Sequence, residues 1–278
     1  MLTQLDKARA FRALHERPGA FIIPNPYDAG TARLLAHLGF EALATTSAGA
    51  SFSAGLPDYG VTRDDMLKHV ASIAKAVDLP VSGDLENGFG DAPEDAAQTI
   101  LLAAAAGLVG GSIEDSTNRP NDPIYEIDAA AERVQAAAEA AHALSYPFTL
   151  TARAENFLHG RNDLADTIKR LQAYQQAGAD VLYAPGLTRK EDIEAVVRSV
   201  DRPVNVLAGL GDHPLDFATL SALGVKRISV GGALSRAALG AFLRAAHEMR
   251  DNGAFTFTKD AAPGRDLNLI FAKFTGRD

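Results

Sequence analysis

The residues best suited to chemistry are concentrated in two short stretches, Gly83-Asp84-Leu85-Glu86-Asn87-Gly88-Phe89-Gly90 and Ser112-Ile113-Glu114-Asp115. Asp84 and Glu86 are two apart, so they point the same way if their strand continues through both. Glu114 comes from the end of the next predicted strand. Three converging carboxylates cannot all stay ionised without a counter-charge. A hard divalent cation with oxygen ligands answers that need, Mg2+ or else Mn2+. Any one of these acids could instead cap a helix. Three together beside an arginine point to a metal or substrate site. That arginine is Arg153, which ends the mostly apolar run Phe148-Thr149-Leu150-Thr151-Ala152. Its planar fork matches a carboxylate or phosphonate. The alternative is a structural ion pair with Glu155 or Glu114.

Weaker signals surround this group. The small-residue loop Ser47-Ala48-Gly49-Ala50-Ser51 could offer backbone N–H groups to an oxyanion. Asp58, in Gly55-Leu56-Pro57-Asp58-Tyr59-Gly60, reads as a solvated loop acid. Asp91, just before Pro93, reads as a helix cap. Five histidines fall in predicted helices. His159 and His213 lie on loops without a His or Cys companion at metal spacing. No nucleophile elbow, phosphate-binding loop or HExxH is present.

The elements that must position these residues alternate. Short apolar runs at 20–24, 41–46, 80–84, 109–114, 147–153, 180–184, 203–207 and 227–230 predict strands. Amphipathic Ala-rich stretches at 29–38, 63–76, 93–106, 128–144, 162–177, 190–199, 215–223 and 234–250 predict helices. Such alternation means crossover connections and a parallel sheet. Gly39, Gly107, Gly178 and Gly224 each fall just past a predicted helix, where a left-handed residue ends it. Eight units favour a closed (β/α)8 barrel, the TIM-barrel class of α/β folds. An open doubly wound sheet would carry glycines after its first strand, and Pro24-Asn25-Pro26-Tyr27-Asp28 has none. Catalytic groups then belong at the C-terminal strand ends. The first strands end in Asn25 and Thr45–Ser47, the fifth in Arg153 and Glu155, and the seventh carries Asn205. Residues 251–278 form an extension with a predicted helix at 267–274. Its Phe255, Phe257, Phe271 and Phe274 call for packing on the barrel or on a neighbouring subunit.

Bulk properties fit that plan. The chain has 278 residues, close to the roughly 250 of one such barrel. No linker or low-complexity tract divides it, so one domain over 1–278 is expected. The absence of cysteine excludes a thiol nucleophile, thiolate-bound zinc and an Fe–S cluster. A net charge of −8 disfavours nucleic acid and anionic membranes as partners. Residues 1–17 are charged and helix-like, and no apolar run reaches bilayer-spanning length. A soluble cytoplasmic protein is expected.

The motifs at these positions, in order from about Phe21 to Gly232, resemble those of the isocitrate lyase/phosphoenolpyruvate mutase superfamily. The resemblance rests on Pro24-Asn25-Pro26-Tyr27-Asp28-Ala29-Gly30, Thr46 to Ser51, Gly55-Leu56-Pro57-Asp58, Gly83 to Gly90, Ile113-Glu114-Asp115, Thr151-Ala152-Arg153-Ala154-Glu155 and Pro203-Val204-Asn205-Val206-Leu207. It implies a (β/α)8 barrel that binds Mg2+ or Mn2+ and a small anionic 2-oxo acid, and makes or breaks a C–C or P–C bond beside it. It also implies a homo-oligomer, tetramer or dimer, in which neighbours exchange the last barrel helix. By motif position Asp84, Glu86 and Glu114 would serve the metal. Ser47, Ala48 and Gly49 would hold the substrate carboxylate, and Tyr27 would pack over the ligand. Asp58 would belong to the metal or gating shell, and Arg153 would neutralise the substrate anion.

The sequence departs from that family where reactions differ. The isocitrate and methylisocitrate lyases carry a Lys-Lys/Arg-Cys-Gly-His loop whose Cys acts as general acid. Here Asp115-Ser116-Thr117-Asn118-Arg119-Pro120 stands in its place, and Ser116 also replaces the Lys of the phosphonopyruvate-acting members. The reading that follows is C–C cleavage of a 2-oxo acid through an enolate, with Glu155, Thr117, Asn118 and Tyr183 as candidate proton donors. P–C chemistry on phosphonopyruvate and a non-catalytic binding barrel are the alternatives.

Overall fold

The computed structural model describes residues 2–211 and 214–274. Eight strands, β1 Phe21–Ile22, β2 Leu43–Ala44, β3 Val81–Asp84, β4 Gly110–Glu114, β5 Thr149–Arg153, β6 Val181–Tyr183, β7 Val204–Leu207 and β8 Arg227–Ser229, pair in parallel in the order β1-β8-β7-β6-β5-β4-β3-β2. The ring closes between β2 and the end of β1, where Ala44 N–H donates to the Pro24 carbonyl at 3.1 Å. Asn25 staples this seam: its amide donates to Thr45 O at 2.9 Å and accepts from the N–H groups of Val230 and Gly231. The (β/α)8 barrel expected from the alternation is the fold.

Helices α1 Gln4–Glu16, α2 Ala29–His37, α3 Ser47–Ser53, α4 Arg63–Ala76, α5 Pro93–Ala105, α6 Ile127–His142, α7 Leu164–Gln176, α8 Lys190–Arg198, α9 Phe217–Ala222, α10 Ala233–His247 and α11 Gly264–Ala272 complete it. Gly39, Gly107, Gly178 and Gly224 all have left-handed φ angles, as their places after helices predict. From α2 to α9 the long helices bury one apolar face, and Ile73, Ile100, Val134, Leu171 and Ile193 join a single core with the strands. The N-terminal helix has another task. Ala8, Phe11 and Leu14 of α1 pack with Phe21, Ile23, Ala42 and Val109 to stopper the N-terminal end of the barrel. Gly110 makes room for that plug, since a Cβ there would lie 2.8 Å from the Phe11 ring.

Two elements differ from expectation. The loop predicted at 47–51 is helical, because Thr46 caps it and its small residues leave no bulk to oppose a turn. And α10, read as an eighth outer helix, buries only Ser235. Its Phe242 is 69% exposed and its Leu243 57% exposed. The extension turns at Gly253, which has φ +59. It ends in α11, which starts three residues before the predicted helix and packs on α2. Among the described residues no helix is long and apolar enough to cross a membrane.

Candidate active site

Strand register brings the polar ends together. Glu114 on β4 lies opposite Arg153 on β5, and Asp84 ends β3 beside them. Arg153 is the hub: Nη1 lies 2.8 Å from Asp84 Oδ1 and 3.1 Å from Glu114 Oε2, and Nε donates to Glu155 Oε1 at 2.8 Å. Its guanidinium also stacks over Tyr183, 5.2 Å from the ring centroid. The ion pair offered as the alternative role for Arg153 is therefore present, with both of the named carboxylates and with Asp84.

One cation cannot neutralise three ionised acids. Side-chain exposure is 16% for Asp84, 1% for Glu114 and 0% for Glu155. Burial raises the Glu114 pKa well above the usual carboxylate range, although Arg153 pulls it back. Burial likewise lifts Glu155 to about 7 against the pull of Arg153. Arg153 itself is driven upward, because Glu114, Glu155 and Asp84 together outweigh its own lost hydration.

Glu86 is not where strand alternation puts it. β3 ends at Asp84, Leu85 enters the core, and Glu86 sits in a tight turn with φ +49. Gly88 N–H closes that turn on Leu85 O. Glu86 thus faces a neighbouring cavity with Asn87, Phe89, Thr117 and Asn118, not the one that Asp84 lines. Burial first, then the charges of Asp84 and Asp58, push its pKa up to about 8. Its buried Oε1 has no hydrogen-bond partner. Asp58 lines the Asp84 cavity, and lost hydration followed by the Asp84 charge raises its pKa. Among the described residues no three His, Asp or Glu side chains stand as a closed ligand set. The donors nevertheless suit a hard cation: all are oxygens, one is buried and unpartnered, and acidic groups outnumber cationic ones. Mg2+ needs only one or two direct carboxylates, because it keeps several waters.

The other expected residues divide. Ala48 lines the cavity, as do Asn205 and Tyr183. Ser47 is there too, but its N–H and Oγ both donate to Asp84 Oδ2 at 2.9 Å, so it anchors the carboxylate. Gly49 N–H turns to the Thr46 cap at 3.3 Å. The glycine is needed for packing, since a Cβ would sit 2.6 Å from Thr46 Cγ2 and 2.8 Å from Tyr27 Cβ. Tyr27 packs against α3 there and does not line the cavity. Thr117 donates its hydroxyl to Asp122 O, and Asn118 Oδ1 accepts from Ser116 Oγ at 3.1 Å. Both line the Glu86 cavity and not the one that Asp84 lines. Asp91 does not cap α5, because the Asp95 carboxylate takes the Ala92 N–H. Asp91 instead binds Arg119 at 2.9 Å and receives the Tyr125 hydroxyl, pinning the loop from Ser116 to Tyr125. Asp115 is structural, accepting from Tyr174 Oη at 2.6 Å and pairing with Arg170. His159 Nε2 lies 3.3 Å from Ser116 Oγ. His213 lies outside the described residues.

Sequence reasoning missed Tyr59. Its hydroxyl donates to Glu114 Oε1 at 2.9 Å, its ring separates the two cavities, and its φ is +60. Burial first and the Glu114 charge second drive its pKa far upward. The only available signal was an aromatic next to Asp58 on a long loop.

The molecule is thus a (β/α)8 barrel whose C-terminal mouth carries a carboxylate–arginine cluster beside a cavity of about 350 Å3. Among such barrels the chain belongs to the phosphoenolpyruvate phosphomutase family, whose model matches residues 11–250, and so to the isocitrate lyase/phosphoenolpyruvate mutase superfamily. A solved structure from Burkholderia cenocepacia J2315, described only provisionally as a lyase or mutase, is 66% identical, with TM-score 0.95 and 97% of each chain covered. The 2-methylisocitrate lyase of Escherichia coli K12 is 30% identical over 70% of this chain and 68% of its own length. The oxaloacetate decarboxylase of Chromohalobacter salexigens is 27% identical over 91% of this chain and 88% of its own.

Proposed function

We propose that this protein is a lyase-type enzyme that cleaves a C–C bond of a small 2-oxo acid or related carboxylate through an enolate. The observation that carries the reading is Arg153 held by Asp84, Glu114 and Glu155 at the rim of a polar cavity. Asp84 would hold Mg2+ (or Mn2+) from the cavity wall, with Asp58 on the loop, Glu86 on the flanking turn and Glu114 behind Arg153 and Tyr59 as the surrounding acids. When bound, such a cation supplies Lewis acidity toward the carboxylate and 2-oxo oxygens. Arg153 orients the substrate anion, and Ser47 keeps Asp84 aimed. Tyr59 and Tyr183 stay protonated at neutral pH: burial raises both, Tyr183 to about 12. These two phenols face the cavity and are the proton donors available to the enolate, whereas Glu155 is shielded behind Arg153. The relatives named above, a methylisocitrate lyase and an oxaloacetate decarboxylase, support carbon–carbon cleavage. Mass-spectrometric product analysis with oxaloacetate, 2-methylisocitrate and phosphonopyruvate tests it. A C–C cleavage product is expected, and phosphate release from phosphonopyruvate alone would overturn the reading.

The working form is read as a dimer or tetramer in which a second copy covers α10. The support is the apolar side of that helix, where Leu234, Leu239, Phe242 and Leu243 are all exposed.

A further inference from the structure

The interior of a barrel of this class is ordinarily filled by branched apolar side chains. Here the cavity floor is built from Ser82, Ser112, Asn205, Ser229 and Arg227. Arg227 is 4% exposed. Its Nε donates to Asn205 Oδ1 at 2.9 Å, and Asn205 Nδ2 passes the chain on to Ser229 Oγ at 3.0 Å. Its Nη1 is buried with no hydrogen-bond partner. Among the described residues it has no carboxylate in ion-pair contact, and lost hydration, followed by smaller effects of Tyr183 and Arg153, lowers its pKa to about 10. A buried, unpaired guanidinium is costly, and this one lies against the cavity. The other cations there differ. Arg153 is taken up by three carboxylates, and Arg236 is exposed at the mouth. His15, on the α1 plug below, is held neutral by burial and supplies no negative charge.

We infer that Arg227 is a specificity-determining residue that receives a second carboxylate of the substrate at the cavity floor, so that the enzyme selects 2-oxo dicarboxylates over 2-oxo monocarboxylates. The inference rests on the proposed 2-oxo acid reading and adds the substrate class. The charge pattern supports it. The mouth carries the Asp58 and Asp84 carboxylates, and its Arg153 is already taken up by acids. The floor carries an unmatched positive charge among neutral donors from serine, asparagine and tyrosine. A distal carboxylate there gains a charge-assisted hydrogen bond in a site already stripped of water.

Thermal-shift titration in Mg2+ with two matched pairs, 2-oxoglutarate against 2-oxopentanoate and oxaloacetate against 2-oxobutyrate, reads the preference in the parent enzyme and in Arg227→Met. The parent is expected to bind the diacid of at least one pair 10- to 100-fold more tightly, as a charge-assisted hydrogen bond implies. Arg227→Met should erase that advantage and leave the monoacid unchanged. Its melting temperature without ligand should equal or exceed the parent's, because an unpaired buried charge has been removed. An unchanged diacid-to-monoacid ratio would overturn the inference, and a lowered melting temperature beside it would make Arg227 a structural residue. Binding of none of the four acids would instead overturn the 2-oxo acid reading itself.

Discussion

Replacing Arg153 with glutamine removes the only cation shared by Asp84, Glu114 and Glu155 while keeping much of the side-chain volume. Two of those carboxylates are essentially sealed from solvent, with side-chain exposures of 1% and 0%. Leaving a buried charge without its partner costs about 3–5 kcal/mol. For a domain of this size each kcal/mol moves the melting temperature by about 2–4 °C, so at pH 8 a fall of roughly 6–20 °C is expected. The acids can escape the penalty by taking up protons. Burial already raises Glu114 and lifts Glu155 to about 7 with Arg153 present, and losing the guanidinium raises both further. A carboxyl group with a raised folded-state pKa destabilises the fold as pH rises above its unfolded value. The deficit should therefore be small near pH 5 and grow through neutrality. Calorimetric melts of both proteins between pH 5 and 8 in a chelator read this directly. A deficit that does not change with pH, or a melting temperature within about 2 °C of the parent at pH 8, would refute the role of Arg153 as counter-charge.

Further outcomes follow from other parts of the molecule. His15, edge-on to Phe11 and Phe21 at 4.7 and 5.0 Å, has its pKa lowered to about 3 by burial. Its neutral form stabilises the fold above pH 6.5, and that contribution drains away as pH falls toward 3. By pH 5 about 2 kcal/mol should be lost, and His15→Gln should flatten the urea-denaturation profile over that range. Tyr59→Phe removes a hydroxyl donor from buried Glu114. It should lower kcat about 10- to 100-fold in steady-state assays, and unchanged kcat would exclude Tyr59 from proton transfer. Phe242→Glu on α10 should shift the mass by light scattering toward the monomer, whereas an unchanged oligomer would place the interface elsewhere.

The barrel was legible because its signals are local and repeated: apolar strand runs, Ala-rich helical faces and a glycine after the helix in four of the eight units. The positions of Asp84, Glu114 and Arg153 followed from being at strand ends. What escaped was set by geometry beyond periodicity. Glu86 left its expected face because the strand ends at Asp84 and the chain turns left-handed at Glu86 itself. The segment at 47–53 reads as loop by composition, yet the Thr46 cap makes it a helix. α10 has the pattern of an outer barrel helix, and nothing in that pattern says which surface it covers. Tyr59 and Asp91 act through contacts 55 and 34 residues away in the chain, with Glu114 and Tyr125, a distance no motif spans.

The proposed C–C cleavage of a 2-oxo acid needs the carboxylate site to work together with a divalent cation. Turnover of the acid found in the product screen, measured in chelator, after return of Mg2+, and in Glu114→Gln, tests it most directly. Activity is expected to be lost in chelator, regained with Mg2+ or Mn2+, and at least 100-fold lower in the variant with the cation present. Full turnover in chelator, or a fully active Glu114→Gln enzyme, would contradict the proposal.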